Sequence, residues 1–183
     1  MGRYALLNNT VGDNNTAMGA YALERFQTGK NNTAIGFGAD IFEDGLSNSV
    51  AIGYRTIVDA SNKIRIGNSS VTVIEGQVPF TSSSDMRLKE MIKPVENGLG
   101  LINDLNPVSY NRIGDRQKTI EMGLLAQEVM TALKTHGMED SGMVHQASES
   151  SYMSLRYNDL MAPMIKAIQE LYAHNKLLEA RSD

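Results

Sequence analysis

YALLNNTVGDNNTAMGA, residues 4–20, and YALERFQTGKNNTAIGF, residues 21–37, decide the fold of the first part of the chain. Overlaid at an offset of 17, they match at Tyr4/Tyr21, Ala5/Ala22, Leu6/Leu23, Gly12/Gly29, Asn14/Asn31, Thr16/Thr33 and Gly19/Gly36. A third copy, ADIFEDGLSNSVAIGY (residues 39–54), continues with Ala39, Asn48 and Gly53. A fourth, SNKIRIGNSSVTVIEG (residues 61–76), is shortened to a step of 14, with Asn62 and Gly67. The repeated core is Asn-x-(Thr/Val)-Ala-(Met/Ile)-Gly, and Arg65 replaces Ala in the last copy.

A short repeat of this kind points to stacked β coils. Each unit offers one brief alternating segment, such as Thr33-Ala34-Ile35-Gly36, bounded by Gly and Asn, which tolerate positive φ at corners. Ala and Gly at fixed offsets let neighbouring backbones approach closely. One unit cannot bury its own apolar face, so stacking, or association with other chains, must do so. A helix is disfavoured, because each interior Gly costs about 1 kcal/mol relative to Ala. A disordered Gly/Asn-rich spacer is the bland alternative, and the register of matches argues against it.

Over residues 4–76 these units resemble the head repeats of trimeric autotransporter adhesins, which recur in phage tail fibres and bacterial surface proteins. The resemblance implies a left-handed parallel β-roll in a trimer, serving as a rigid shaft or binding head without catalytic chemistry.

Composition bounds the rest. The 183 residues suffice for one or two domains with real cores. A net charge of −4 and pI near 5.4 give no electrostatic case for a nucleic-acid partner or an anionic membrane. Zero cysteines exclude disulfides, thiolate catalysis and thiolate metal sites. No apolar run approaches the roughly 18 residues of a membrane span, and the N-terminus lacks a signal-peptide pattern. Soluble material without a secretion signal is expected, and Met1-Gly2 reads as an artificial start, with the natural chain extending upstream. Ten of 16 glycines fall in residues 1–84, but nine of 11 methionines fall in residues 85–183. Such a break predicts two modules.

The second module closes on SLRYNDLMAPMIKAIQELYAHNKLLEARSD (residues 154–183). Tyr157, Met161, Met164, Ile168, Leu171, Asn175, Leu178 and Ser182 are spaced 4-3-4-3-4-3-4, as an a/d seam requires. Asn175 in that seam fixes register at a cost in stability, and Pro163 lies in the first turns, where it is cheapest or marks a kink. A parallel coiled coil over about 157–182 is expected, against the alternative of a helix packed on its own domain. Upstream, residues 94–113 predict a short helix and then a strand after Pro107. Residues 121–138 predict a strand or turn and a short helix with Leu124, Leu125, Val129, Met130 and Leu133 on its apolar face and Gly137 as its stop. Residues about 134–155 include an exposed hairpin or arm. His136, His145 and His174 have no carboxylate at ligand spacing and read as solvated or structural, so no metal and no cofactor is expected.

Between the modules runs TSSSDMRLKEMIKP, residues 81–94. With Ser84-Asp85-x-Arg87-Leu88-Lys89 and Gly123-Leu124-Leu125-Ala126-Gln127-Glu128-Val129, residues 84–183 resemble the endosialidase-type intramolecular chaperone domain of phage tailspikes, tail fibres and neck appendages. A related version occurs in a membrane-tethered animal transcription factor. The resemblance implies a domain that trimerises the protein, templates folding of the β-rich shaft and cuts itself off. It carries over Ser84, the residue before the scissile bond, and Lys89, five residues on, with cleavage between Ser84 and Asp85. Neighbouring Ser82 and Ser83 lack that spacing and the following Asp.

A serine hydroxyl is a weak nucleophile that needs a base, and lysine serves only when its pKa falls well below about 10.4. Ser84 attack on its own carbonyl gives an ester, which water hydrolyses. Spacing alone does not assemble the pair. On a helix five residues turn roughly 500°, leaving the side chains about 140° apart; on a strand they face opposite sides. A turn must intervene, or Ser84 of one chain must meet Lys89 of another, so assembly is expected to gate cleavage. The structural alternative is a helix start capped from Ser82 and Asp85, with Lys89 solvated.

The expected fold class is thus mixed: trimeric parallel β-roll or β-helix repeats (1–80), a linker and cleavage site (81–84), and an α+β chaperone domain (85–183) ending in a parallel trimeric coiled coil. The expected partners are two further copies of the chain, the upstream shaft as folding client and, through the full-length fibre, a host receptor. The expected location is the phage tail, assembled in the bacterial cytoplasm, with the cleaved domain absent from the mature fibre. A non-cleaving structural cap of a phage or bacterial adhesin shares every feature except a functional Ser84/Lys89. A conventional enzyme has no support, since the sequence holds no acid pair, metal cluster, nucleotide loop or triad.

Overall fold

The computed structural model describes residues 2–149 and 151–182. The chain divides into two compact units, Met1–Ser82 and Ser83–Asp183, each with its own apolar core.

In the first unit each repeat lays down one short strand. β1 (Thr16–Met18), β2 (Thr33–Ile35), β4 (Val50–Ile52) and β6 (Ile64–Ile66) form a parallel sheet in that order. Ala17 pairs with Ala34, Ala34 with Ala51, and Ala51 with Arg65, reproducing the sequence steps of 17, 17 and 14. β3 (Asp40–Ile41) and β5 (Ile57–Val58) form a second, two-stranded parallel sheet. Period-2 alternation turns the central alanines inward, where Ala34 and Ala51 are fully buried. Around them pack Leu23, Phe26, Ile41 and Val58. The corners fall on Asn14, Asn31, Asn48 and Asn62, all left-handed with φ of 56 to 59°. Gly36, at φ +130°, is needed for closeness as well: a Cβ there would run into the Gly53 carbonyl.

Two ladders run up this unit. Tyr4, Tyr21, Phe37 and Tyr54 line up with ring centroids 5.3, 5.5 and 5.8 Å apart, meeting in turn tilted, edge-on and stacked. The second is buried and polar. Asn32, fully buried, receives nothing from solvent; its Nδ2 donates to Asn15 Oδ1 (3.1 Å) and Leu46 O (2.9 Å), and its Oδ1 accepts from Ser49 N (3.0 Å). Outward, Met18, Ile35, Ile52 and Ile66 share one strand position and stay exposed. β6 has no buried residue, and Arg65 Nη1 donates to Ile57 O at 3.2 Å.

The second unit runs α1 (Gly98–Asp104), β7 (Val108–Tyr110), β8 (Glu121–Gly123), α2 (Ala126–Thr135), β9 (Val144–His145), β10 (Ser154–Leu155), a 3-10 turn (Tyr157–Leu160) and α3 (Met161–Ser182). β7 and β8 form one antiparallel hairpin, β9 and β10 another. Arg112 clamps the first, its Nε and Nη2 donating to the Glu121 carboxylate at 2.7 and 2.9 Å. Leu101, Val129, Ala132, Leu133, Met143 and Val144 make the core. Gly98 lets α1 lie against α3, because a Cβ there would collide with Pro163 O and Ala167 N. Glu170 Oε2 accepts from Leu99 N at 2.8 Å, tying the α1 start to the same helix. No helix among the described residues is long and apolar enough to cross a membrane.

Three local expectations need adjustment. Leu125 precedes α2 and is 43% exposed, while Ala132 takes the buried place beside Val129 and Leu133. The hairpin of residues 144–155 is not wholly an exposed arm, since Met143 and Val144 sit in the core. The α-helix starts at Met161, and Tyr157 lies in the preceding 3-10 turn. Within α3 the residues buried are Pro163 and Ala167. Met161, Met164, Ile168, Leu171 and Leu178 are all at least 47% exposed, on a stripe centred roughly 100° around the helix from that face at 100° per residue.

Candidate functional site

The stretch from Ser84 to Lys89 folds around Asp85. Its backbone is extended (φ −62°, ψ 134°), and its Oδ1 accepts from Arg87 N at 2.8 Å, capping a 3-10 turn of Met86–Leu88. Short polar side chains favour this local bond over a continuing strand. Leu88 N donates to Asp85 O (3.0 Å) and Lys89 N to Met86 O (3.1 Å), after which Lys89 returns to extended geometry. Arg87 forks onto the Asp85 carboxylate, with Nε 3.0 Å from Oδ1 and Nη2 2.7 Å from Oδ2. The Arg87 side chain, and after it the Arg87 backbone N–H, hold the Asp85 carboxyl below its ordinary value. No residue of the turn is buried.

This turn brings the two sequence-selected residues together. Lys89 Nζ donates to Ser84 Oγ at 2.7 Å within one chain. The intervening turn resolves the geometric problem that neither helix nor strand could solve at a spacing of five. Of the capping alternative, Asp85 does cap, but the capped turn ends before Lys89, which is not a helix residue. Ser82 and Ser83 make no such contact with Lys89. Ser84 and Lys89 are both exposed in the single chain.

Outside this stretch one cluster escaped the sequence. His136, expected to be solvated or structural, has a side chain only 11% exposed and bridges both ends of α1. Its Nε2 lies 2.8 Å from Asp104 Oδ2 and its Nδ1 2.9 Å from Asn97 Nδ2, which assigns the proton to Nε2. Asn97 caps α1 through Oδ1 to Gly100 N at 3.2 Å. The cluster is a structural clamp between α1 and α2. Among the described residues no three His, Cys, Asp or Glu side chains are grouped to hold a metal.

No curated protein matches the chain. Residues 84–138, from Ser84 to just beyond α2, match the peptidase S74 family model described as the chaperone of endosialidase, which supports a chaperone role and a peptidase-related self-processing character.

Proposed function

We propose that this chain is part of a phage tail fibre or tailspike. Its second unit trimerises the protein, guides folding of the β-repeat shaft and then releases itself by cutting between Ser84 and Asp85. The observation that carries the reading is the 2.7 Å contact between Lys89 Nζ and Ser84 Oγ, inside the span matched by the chaperone-of-endosialidase model.

In the reactive state the Lys89 amine is neutral and takes the Ser84 hydroxyl proton. Oγ adds to the Ser84 carbonyl carbon, the C–N bond to Asp85 breaks, and the proton passes to the departing Asp85 nitrogen. Water then hydrolyses the ester, leaving a carboxylate at Ser84 and restoring the hydroxyl. Within one chain this ester is a strained four-membered lactone; between protomers it is an open ester. A lysine acts as a base only in its neutral form, which removal of water from around the amine favours. Assembly supplies that cover, so trimerisation gates the cut.

The folding logic is physical. Parallel coils joined by steps of 14 to 17 residues have non-local contacts and sticky edges, so they form slowly and risk misassembly. Joining three C-termini through α3 raises effective concentration and sets register. The exposed Met161–Met164–Ile168–Leu171–Leu178 stripe supports that role, being separate from the face used against α1. Loss of the chaperone then makes unfolding hard to reverse.

Intact mass spectrometry of the chain beside Ser84→Ala and Lys89→Ala tests the reading. Fragments of 84 and 99 residues (183 − 84) in the parent alone establish the cut at Ser84–Asp85. An intact trimeric parent leaves a non-cleaving cap of a phage or bacterial surface adhesin.

A further inference from the structure

We propose that Arg87 is a positioning residue for the self-cleavage: by occupying the Asp85 carboxylate it keeps that carboxylate on the turn and off Lys89. The inference rests on the cleavage reading above. Asp85 has two opposed tendencies in this geometry. Its Oδ1 caps the turn that brings Lys89 to Ser84. Yet it is also a negative charge four residues before a lysine whose amine must lose its proton to act. A free carboxylate there competes with Ser84 Oγ for the ammonium and favours the charged, non-basic form.

The Arg87 fork resolves the conflict. Nε contacts both carboxylate oxygens (3.0 and 3.2 Å) and Nη2 contacts Oδ2 (2.7 Å), so both oxygens are engaged. A planar guanidinium fits this bidentate geometry and a lysine in its place does not. Lys89 Nζ accordingly contacts Ser84 and is not paired with Asp85. Beyond the Asp85 cap and the two 3-10 backbone bonds, no packing holds the turn, because Met86 and Leu88 are both more than 70% exposed and contribute no buried surface. The other ionisable groups on the stretch are Glu90 and Lys93, also exposed; the turn itself carries only Asp85, Arg87 and Lys89.

The test measures single-turnover cleavage of the full chain against pH for the parent, Arg87→Gln, Arg87→Lys, Asp85→Asn and the double variant Arg87→Gln/Asp85→Asn. Arg87→Gln should slow cleavage and move the pH of half-maximal rate upward by roughly half a unit to one unit, because the freed carboxylate favours the lysine's charged form. Arg87→Lys should recover only part of the loss. Asp85→Asn keeps an oxygen to cap the turn but removes the charge. The double variant should therefore return the pH midpoint to near the parent value, which a purely structural role for Arg87 does not predict. Assembly state, read by light scattering, confirms that each variant is compared in the same oligomer. Parent-like rate and midpoint in Arg87→Gln, or a double variant no better than Arg87→Gln, overturn the inference while leaving the cleavage reading intact. A parent that stays whole, or an active Ser84→Ala, instead overturns the reading on which it rests.

Discussion

Replacing Asn32 by Ala removes the centre of the buried polar ladder, and its cost can be worked from the bonds it breaks. The backbone bond from Asn32 N to Asn15 Oδ1 survives, but three side-chain bonds go: Nδ2 to Asn15 Oδ1, Nδ2 to Leu46 O, and Oδ1 from Ser49 N. At about 1 kcal/mol net each these total roughly 3 kcal/mol. Most of that sits on Ser49, whose N–H is left unpaired in a residue with no exposure, at about 1–3 kcal/mol alone. The alanine core beside it has little freedom to collapse into the gap. For a unit of this size each kcal/mol moves Tm by about 4–8 °C, so a drop of roughly 12–24 °C is expected in the first unit. Because the two units need not unfold together, amide exchange on the full chain carrying Ser84→Ala is the sharper assay. The Ser49 amide should exchange roughly two orders of magnitude faster, at about 1.4 kcal/mol per tenfold. Asn31→Gly, at an exposed corner of φ 59°, should change little. A Ser49 amide as protected in Asn32→Ala as in the parent would show that the ladder contributes nothing and refute the reasoning.

Three further outcomes follow from single features. Gly36→Ala, which meets the Gly53 carbonyl at φ +130°, should destabilise the first unit by about 3–5 kcal/mol from strain and overlap together; Gly114→Ala, at φ +90° with nothing near its Cβ, should cost the second unit only the backbone strain, each shift being read against the parent melt of its own unit. The Asp44 carboxyl is held below its ordinary 3.8 by the backbone N–H of Gln27 and then of Thr28. Its folded value is depressed, so its contribution is present above the ordinary value and disappears as pH falls through the depressed one; acid titration by NMR should show the Asp44 carboxyl shift and the Gln27 and Thr28 amides moving together there. Ile168→Asp with Leu171→Asp should leave the helix content of the chain intact, because neither side chain is buried in it, while abolishing self-association by light scattering and slowing cleavage by about 100-fold or more, the usual worth of a working base. A monomer cutting at the parent rate refutes assembly gating.

How far the sequence could be read depends on where each feature's information lies. Strand register was legible because it is written as an offset between identical residues, and Ala17, Ala34 and Ala51 pair at that offset. The division of labour inside each Asn-Asn pair was not. Asn14 and Asn31 make the corners, but Asn15 and Asn32 turn inward to the ladder, and two identical side chains give no sign of which faces in. The large apolar residues of α3 drew attention to the seam. Its contact with α1 instead uses Gly98, Pro163 and Ala167, because close helix approach selects small residues that a hydrophobic pattern ignores. His136 meets Asp104 across 32 positions of chain, beyond any motif window. Only a family resemblance singles out Ser84 and Lys89 in the sequence. What brings them together is one short turn set by the Asp85 cap, a local event visible in neither helical nor strand periodicity.

That turn separates two requirements that are often met together in an active site. Distance is already satisfied in one chain, at 2.7 Å, using only residues 84 to 89 and without burying any of them. Activation of the base is a different matter, since it calls for an amine shielded from water. If proximity were enough, the chain could cut itself as soon as residues 84 to 89 emerged, before the stacked coils had formed and before the chaperone had acted. Under the proposed function, a Ser84–Lys89 pair assembled locally but covered only by neighbouring copies would avoid that failure. The same chain leaves Met18, Ile35, Ile52 and Ile66 in line on its strands and five apolar residues in line on α3. These exposed apolar surfaces would drive the self-association proposed above, in both units. Burial of that pair by such association would make the cut report on assembly, so that the chaperone would leave only a shaft whose chains have already met.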